Sequence, residues 1–201
     1  SFTGKNTLVI ASSYSGNTEE TLSATESALT ANAKVVCVSS GGKLTELARA
    51  DGVPVFSVPS GLPPRASLPL LVAAANRFLV WGGWRANPDH LREASELLQK
   101  KRHSYLPESL LAHNPAKQIA LKLLDKTPII SGAAGICYVA ALRWRAQLQE
   151  NSKVVAFDLC FPEANHNAIV PLAEMRKGEF PFVIVMTRDA AMTGKPTSHP
   201  F

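Results

Sequence analysis

No stretch of the 201-residue sequence approaches the ~20 consecutive apolar residues of a membrane-spanning helix; the longest candidates break at Asn76, Arg77 and Gly82. Residues 1–6 hold no basic stretch leading into an apolar run, so no secretory leader is expected. Cysteine is scarce. Cys37, Cys137 and Cys160 lie apart in apolar stretches without CxxC spacing, which argues against a disulfide framework and a zinc site and suits a reducing, cytoplasmic setting. None of the five histidines pairs with another at ligand spacing, and no metal or other cofactor is expected. Basic residues do not cluster except at Lys100-Lys101-Arg102, which ends a helical stretch, where cations are favoured. With no aromatic-interleaved basic stripe there is no case for a nucleic-acid partner. The net charge of +5 instead suits a small phosphorylated ligand. A hydrophobic content of 46% excludes a disordered chain.

What is present is an alternation of strands and helices. Thr7-Leu-Val-Ile-Ala11, Lys34-Val-Val-Cys-Val38 and Val53 to Val58 are short apolar runs of the kind buried on both faces of a parallel sheet. Helices are expected from Thr18, over Leu44 to Ala50, Ser67 to Trp81, Pro88 to Lys101, Pro115 to Lys126 and Tyr138 to Glu150. Thr127 to Ile130 restarts the strand pattern, and Val154 to Leu159 and Phe182 to Met186 continue it. The expectation is an α/β chain with a mainly parallel, doubly wound sheet in each of two parts. Residues 1–60 and 127–190 form those parts, 61–126 a helical connection, and 191–201 a loose tail without pattern.

The most informative local feature is Ser12-Ser-Tyr-Ser-Gly-Asn-Thr18, between a strand and a helix. Hydroxyls and backbone N–H groups converge there at a positive helix end, which suits a phosphate group, and Gly16 lets the backbone approach closely. Helix capping by Ser15, Asn17 or Thr18 is the ordinary alternative, but capping needs one such residue rather than five polar side chains in seven. The loop lacks the GxxxxGK[ST] pattern and the GxGxxG pattern. A second serine-glycine turn, Ser39-Ser-Gly-Gly-Lys43, occupies the equivalent place after the next strand; alone it is a weak signal and reads as a plain turn.

A strand, SYSGNTEETL, and a second strand ending in SSGGKL resemble the sugar isomerase (SIS) domain. Further matches are Pro64-Arg65-Ala66, Arg143-Trp144 to Gln147-Leu-Gln-Glu150-Asn-Ser-Lys153, and Pro162-Glu-Ala-Asn-His-Asn167. In this order they make the chain similar, from about residue 7 to 170, to the bifunctional phosphoglucose/phosphomannose isomerases. The resemblance implies two SIS subdomains and aldose–ketose isomerisation of hexose 6-phosphates through a cis-enediol. Ser13, Ser15 and Thr18 would hold the phosphate, and Arg65 would stabilise the enediolate. Glu150 would move the proton between C1 and C2, and His166 would open the sugar ring. It also implies a homodimer in which His166 reaches the neighbouring subunit's site. Gly132 is read as letting the backbone approach the sugar, or as a simple turn.

The chemistry asks for the same residue types. A carbon-bound proton needs a carboxylate base of tunable pKa, ring opening needs an acid/base near neutrality, and the enediolate needs a cation. Without the resemblance, Glu150 reads as a solvent-facing helix carboxylate, His166 as a turn residue and Arg65 as a loop ion-pair partner. Arg143 and Arg145 read as helix surface, with one of them able to steady Glu150, and Glu163 as a structural neighbour of His166. Family members also carry an earlier glycine- and serine-rich loop and a C-terminal lysine; Lys195 is a poor match for the latter. The chain is therefore expected to be the middle of a longer protein, with apolar surface exposed where covering elements are missing. The alternative function is a non-catalytic SIS module that binds a phosphosugar as a sensor.

Overall fold

The computed structural model describes residues 3–84, 87, 89–174 and 181–189. The tail expected over 191–201, the helix start at Pro88 and Lys195 lie outside the described residues. The chain divides into two compact units, Ser1–Lys100 and Lys101–Phe201. The division falls within the stretch read as a helical connection. No helix among the described residues is long and apolar enough to cross a membrane.

The first unit contains β1 (Leu8–Ser12), α1 (Glu19–Thr30), β2 (Lys34–Ser39), α2 (Gly42–Ala50), β3 (Val55–Ser57) and α3 (Leu68–Trp81), and α4 (Asp89–Arg102) begins there. The strands form a parallel sheet in the order β1-β2-β3, with Ala11 opposite Cys37 and Cys37 opposite Val55. Central β2 is buried from Val35 to Ser39, as an unbroken apolar run in a sheet covered on both faces should be. Its two faces feed different clusters. Ala11, Val35 and Cys37 pack with Ala28 of α1 and with Leu44 and Ala48 of α2. Tyr14, Val38 and Val58 pack on the other side with Leu70, Leu71 and Ala74 of α3. Helices on both faces of a parallel sheet make this a doubly wound α/β unit.

The second unit contains α5 (Pro115–Leu123), β4 (Thr127–Ala133), α6 (Ile136–Gln147), β5 (Phe157–Phe161), α7 (Ala164–Asn167), α8 (Ile169–Glu174) and β6 (Phe182–Thr187). Helix α5 starts where Asn114 accepts a bond from the Lys117 amide at 3.1 Å and Pro115 takes the first helical position. The sheet is parallel throughout, in the order β5-β4-β6. Helix α6 covers the face that carries Gly132, Asp158 and Thr187, as its contacts to all three show. The register places Phe157, Phe182, Ile184 and Met186 on the opposite face, where they remain exposed. Ile129 and Ser131 of central β4 share that face but are buried, so the apolar exposure lies on the two outer strands.

Several expected boundaries are corrected: β3 spans only Val55–Ser57, α5 ends at Leu123 rather than Lys126, and β4 continues past Ile130 to Ala133. The strand expected over Val154 to Leu159 begins at Phe157 and continues to Phe161. Lys153 adopts a left-handed φ of 56°, and the Gln149 side chain donates to the Ala156 carbonyl at 3.0 Å, so residues 153–156 lie outside any regular element. The helix expected over Tyr138 to Glu150 starts at Ile136 and passes at Leu148–Ser152 into a wider π-helical turn. Glu150 therefore sits in irregular helix, not in a regular last turn.

Candidate active site

In the first unit, β1 delivers the chain into a loop that closes on itself. The Ser13 amide donates to the Val38 carbonyl (3.1 Å), and the buried Ser13 hydroxyl accepts from the Gly16 amide at 3.1 Å. The Ser13 and Thr18 hydroxyls lie 2.8 Å apart. The exposed Ser15 hydroxyl accepts from the Asn17 amide at 3.2 Å. Thr18 is the N-cap of α1 but makes no side-chain capping bond. Capping by Thr18 therefore does not explain the polar run: its hydroxyl is directed to Ser13, at the same helix end. Ser13, Ser15 and Thr18, singled out from the sequence, are brought together here.

The turn at Ser39–Lys43 supports this loop, a role that its composition alone did not distinguish from an ordinary turn. The Ser40 amide and hydroxyl both donate to the Tyr14 carbonyl, at 3.0 and 2.6 Å. The Lys43 amide donates to Asn17 Oδ1 at 3.1 Å, and the Leu44 amide to the Gly16 carbonyl at 2.8 Å. Gly16 has φ +70°, and a side chain there would overlap the Gly41 carbonyl. The two glycine-bearing turns thus fit together only because neither carries a Cβ at the contact.

Arg65 lies in the same unit, on the 3-10 turn Pro64–Ala66 that leads into α3, and is exposed. Ser67 closes that turn by donating to the Pro64 carbonyl at 2.7 Å.

The second unit holds Gly132, Glu150 and His166. Glu150 is exposed in the π-helical turn before β5, with Lys153 Nζ donating to its carbonyl at 2.7 Å. His166 is exposed in α7, beyond the other end of β5. Five strand residues at about 3.3 Å each put roughly 13 Å between those ends, so Glu150 and His166 of one unit stand apart. Gly132 lies at His166's end, where the Ala134 amide bonds the Phe161 carbonyl at 2.7 Å. It sits inside β4 and not in a turn. A Cβ there would come within 2.6 Å of the Cys137 carbonyl and 2.5 Å of Thr187 Oγ1, so close packing of α6 and β6 accounts for the glycine without a ligand.

Arg145 does not steady Glu150. Its Nε pairs with Asp158 Oδ1 at 2.8 Å, with both side chains largely covered, and Tyr138 donates to Asp158 Oδ2 at 2.6 Å. That carboxylate, together with partial burial, holds the Tyr138 phenol above its ordinary pKa of 10.0. Burial likewise pushes the Cys37 thiol up, which leaves it an inert core residue. Glu163 accepts from Asn167 Nδ2 at 3.3 Å, and its carbonyl accepts from the His166 amide, which makes it part of the local helix frame. Among the described residues no group of three or more His, Cys, Asp or Glu is placed to hold a metal ion.

Residues 112–197 match the bacterial phospho-glucose isomerase C-terminal SIS domain. A bifunctional phosphoglucose/phosphomannose isomerase of Caldicellulosiruptor bescii is 45% identical over 188 residues, covering 91% of this chain and 54% of the relative. One from Thermoplasma acidophilum is 36% identical, covering 94% and 56%. The chain thus spans about half the length of these relatives. Among solved structures, tagatose-6-phosphate ketose/aldose isomerase from Escherichia coli superposes with a TM-score of 0.64 at 16% identity, covering 91% of this chain and 49% of that one. At that identity the superposition speaks for the fold alone.

Proposed function

We propose that the chain shares the activity of the bifunctional phosphoglucose/phosphomannose isomerases, to which it is similar over about half their length, and that it interconverts glucose 6-phosphate, fructose 6-phosphate and mannose 6-phosphate in a cytoplasmic setting. The observation that carries the reading is the closed Ser13–Thr18 loop, with its hydroxyls and its helix N-terminus at one place. The sugar's phosphate docks there through Ser13, Ser15 and Thr18. Phosphate binding is common to all three substrates and supplies affinity without choosing between them.

The reaction moves two protons, one between C1 and C2 and one between O1 and O2. With fructose 6-phosphate, Glu150 takes a proton from C1, electrons shift into a C1–C2 double bond, and the C2 carbonyl oxygen gains negative charge. Arg65 stabilises that oxyanion. Glu150 then returns the proton to C2 as O1 gives up its proton to leave the C1 carbonyl and O2 ends as a hydroxyl, and the face of C2 that is protonated decides between glucose and mannose. A carboxylate suits a base that must both take and return a proton. His166 passes the proton that opens and closes the ring, for which imidazole is suited near neutral pH. The separation of Glu150 and His166 across β5 supports the family's arrangement, in which His166 serves the site of a second copy in a homodimer.

The test is formation of glucose 6-phosphate from fructose 6-phosphate, read through a coupled dehydrogenase, with Glu150→Gln alongside. Turnover lost in the variant, with phosphosugar binding retained, is expected. A folded chain that binds the sugar phosphate without turning it over would favour the sensor reading.

A further inference from the structure

Tyr14 stands in the middle of the phosphate loop, yet neither the phosphate nor the proton transfer has a use for it. Tyr14 is 8% exposed, packed with Val38 and Val58 and against Leu70, Leu71 and Ala74 of α3. Its carbonyl is held by Ser40, so its main chain is fixed to the loop that carries Ser13 and Ser15. Its hydroxyl does something separate. It donates to the Pro59 carbonyl at 3.0 Å and accepts from the Leu62 amide at 2.9 Å. Both partners belong to the segment that leads to Arg65.

That segment has little other burial. Residues 59–66 are all exposed, between buried Val58 and buried Ser67. Gly61, at φ +98°, has open space around the position of a Cβ, so the turn itself does not pack against the unit. Leu62 and Arg65 are separated only by Pro63 and Pro64, whose φ angles are fixed, and Pro64 opens the 3-10 turn. A tether at Leu62 is therefore passed on to Arg65 through a stiff linker.

We propose that Tyr14 is a positioning residue of the phosphosugar site, its hydroxyl fixing the Arg65 segment to the phosphate loop. The proposal rests on the functional reading above. It assigns the hydroxyl of Tyr14, rather than its ring, the task of setting where the guanidinium stands relative to the bound phosphate. Phosphate anchoring and charge stabilisation then share one rigid frame, and loss of the tether should harm the second without the first.

The experiment is a double-mutant cycle on the full chain with Tyr14→Phe, Arg65→Ala and the double variant. Each is measured for fructose 6-phosphate turnover and for binding of two probes, inorganic phosphate and the non-isomerisable sorbitol 6-phosphate. Tyr14→Phe should lower kcat roughly tenfold, the scale of a modest misplacement of a charge-stabilising group. KM and phosphate affinity should stay within about twofold. In the Arg65→Ala background the same substitution should change neither kcat nor sorbitol 6-phosphate affinity further. Leu62→Pro, which deletes the donor from the other side, should reproduce the Tyr14→Phe pattern, and exchange of the Leu62 amide should quicken in Tyr14→Phe while α1 amides stay protected.

Equal loss of phosphate and sugar phosphate binding in Tyr14→Phe would overturn the proposal, because Tyr14 would then be supporting the loop alone. So would an undiminished effect in the Arg65→Ala background. Failure of the functional reading looks different: the unaltered chain itself would show no preference for sorbitol 6-phosphate over phosphate and no turnover.

Discussion

Replacing Gly16 by alanine tests the account of the phosphate loop, because the structure supplies its own control. Gly16 and Gly52 have nearly the same left-handed φ, +70° and +66°. Around Gly52 no atom lies within 4 Å of the position of a Cβ, whereas at Gly16 the added atom would run into the Gly41 carbonyl oxygen, 2.8 Å from the carbonyl carbon and 2.9 Å from Ser39 Oγ. Gly52→Ala therefore costs only the left-handed conformation, about 1 kcal/mol. Gly16→Ala adds separation of the two turns, with loss of the Leu44–Gly16 and Lys43–Asn17 bonds at about 1 kcal/mol each. The expected total is about 3 kcal/mol. For a unit of this size each kcal/mol is worth about 4–8 °C, so Gly16→Ala should lower the melting temperature by some 10 °C or more beyond Gly52→Ala. Phosphate binding, followed by calorimetry, should weaken at least tenfold in Gly16→Ala alone. If the two variants melt together and bind phosphate equally, the interlocking of the two turns is not what shapes the site.

Other expectations follow from single contacts. Ser15→Ala should weaken binding of glucose, fructose and mannose 6-phosphates alike with little change in melting, since Ser15 is exposed, whereas Ser13→Ala should also destabilise by about 1 kcal/mol because buried Ser13 joins Gly16 and Thr18; loss confined to one sugar would contradict the phosphate role. Asp158→Ala should destabilise the second unit by leaving Arg145 without its ion-pair partner and Tyr138 without its acceptor, as a lower urea midpoint would show. The Tyr138 phenol is held above 10.0 when folded, so its stabilisation is complete below pH 10 and is lost as pH rises through the folded value. Stability should accordingly fall more steeply as pH rises above 10 in the unaltered protein than in Tyr138→Phe, and equal slopes would show that this bond does not matter to folding.

The elements most legible in the sequence are those decided by local pattern. Lys34 to Ser39 is strand because its apolar run is buried on both faces, and α5 starts at Pro115 because Asn114 caps it. What was not legible depends on distant partners. Val154 and Val155 have strand-forming side chains, but register with Ile129 starts β5 at Phe157. The short helices α7 and α8 carry too few turns for periodicity to show. The hydroxyls of Ser13, Ser15 and Thr18 could be read as one site because they are neighbours in the chain. The supporting turn at Ser39–Lys43, the Tyr14 tether 45 and 48 residues away, and the Arg145–Asp158 pair became visible only once the sheets were assembled. The π-helical turn that carries Glu150 has no periodic signature at all.

The central claim is that Glu150 carries a proton between C1 and C2 of a bound hexose 6-phosphate. Its most direct test is to incubate fructose 6-phosphate with the chain in deuterium oxide and follow C1 and C2 by NMR. The account predicts exchange at C1 of the ketose and deuterium at C2 of the aldose 6-phosphates formed, with both absent in a Glu150→Gln variant that still binds phosphate. Aldose formation by that variant at the unaltered rate would contradict it, as would a folded chain that holds the sugar phosphate while C1 keeps its protons.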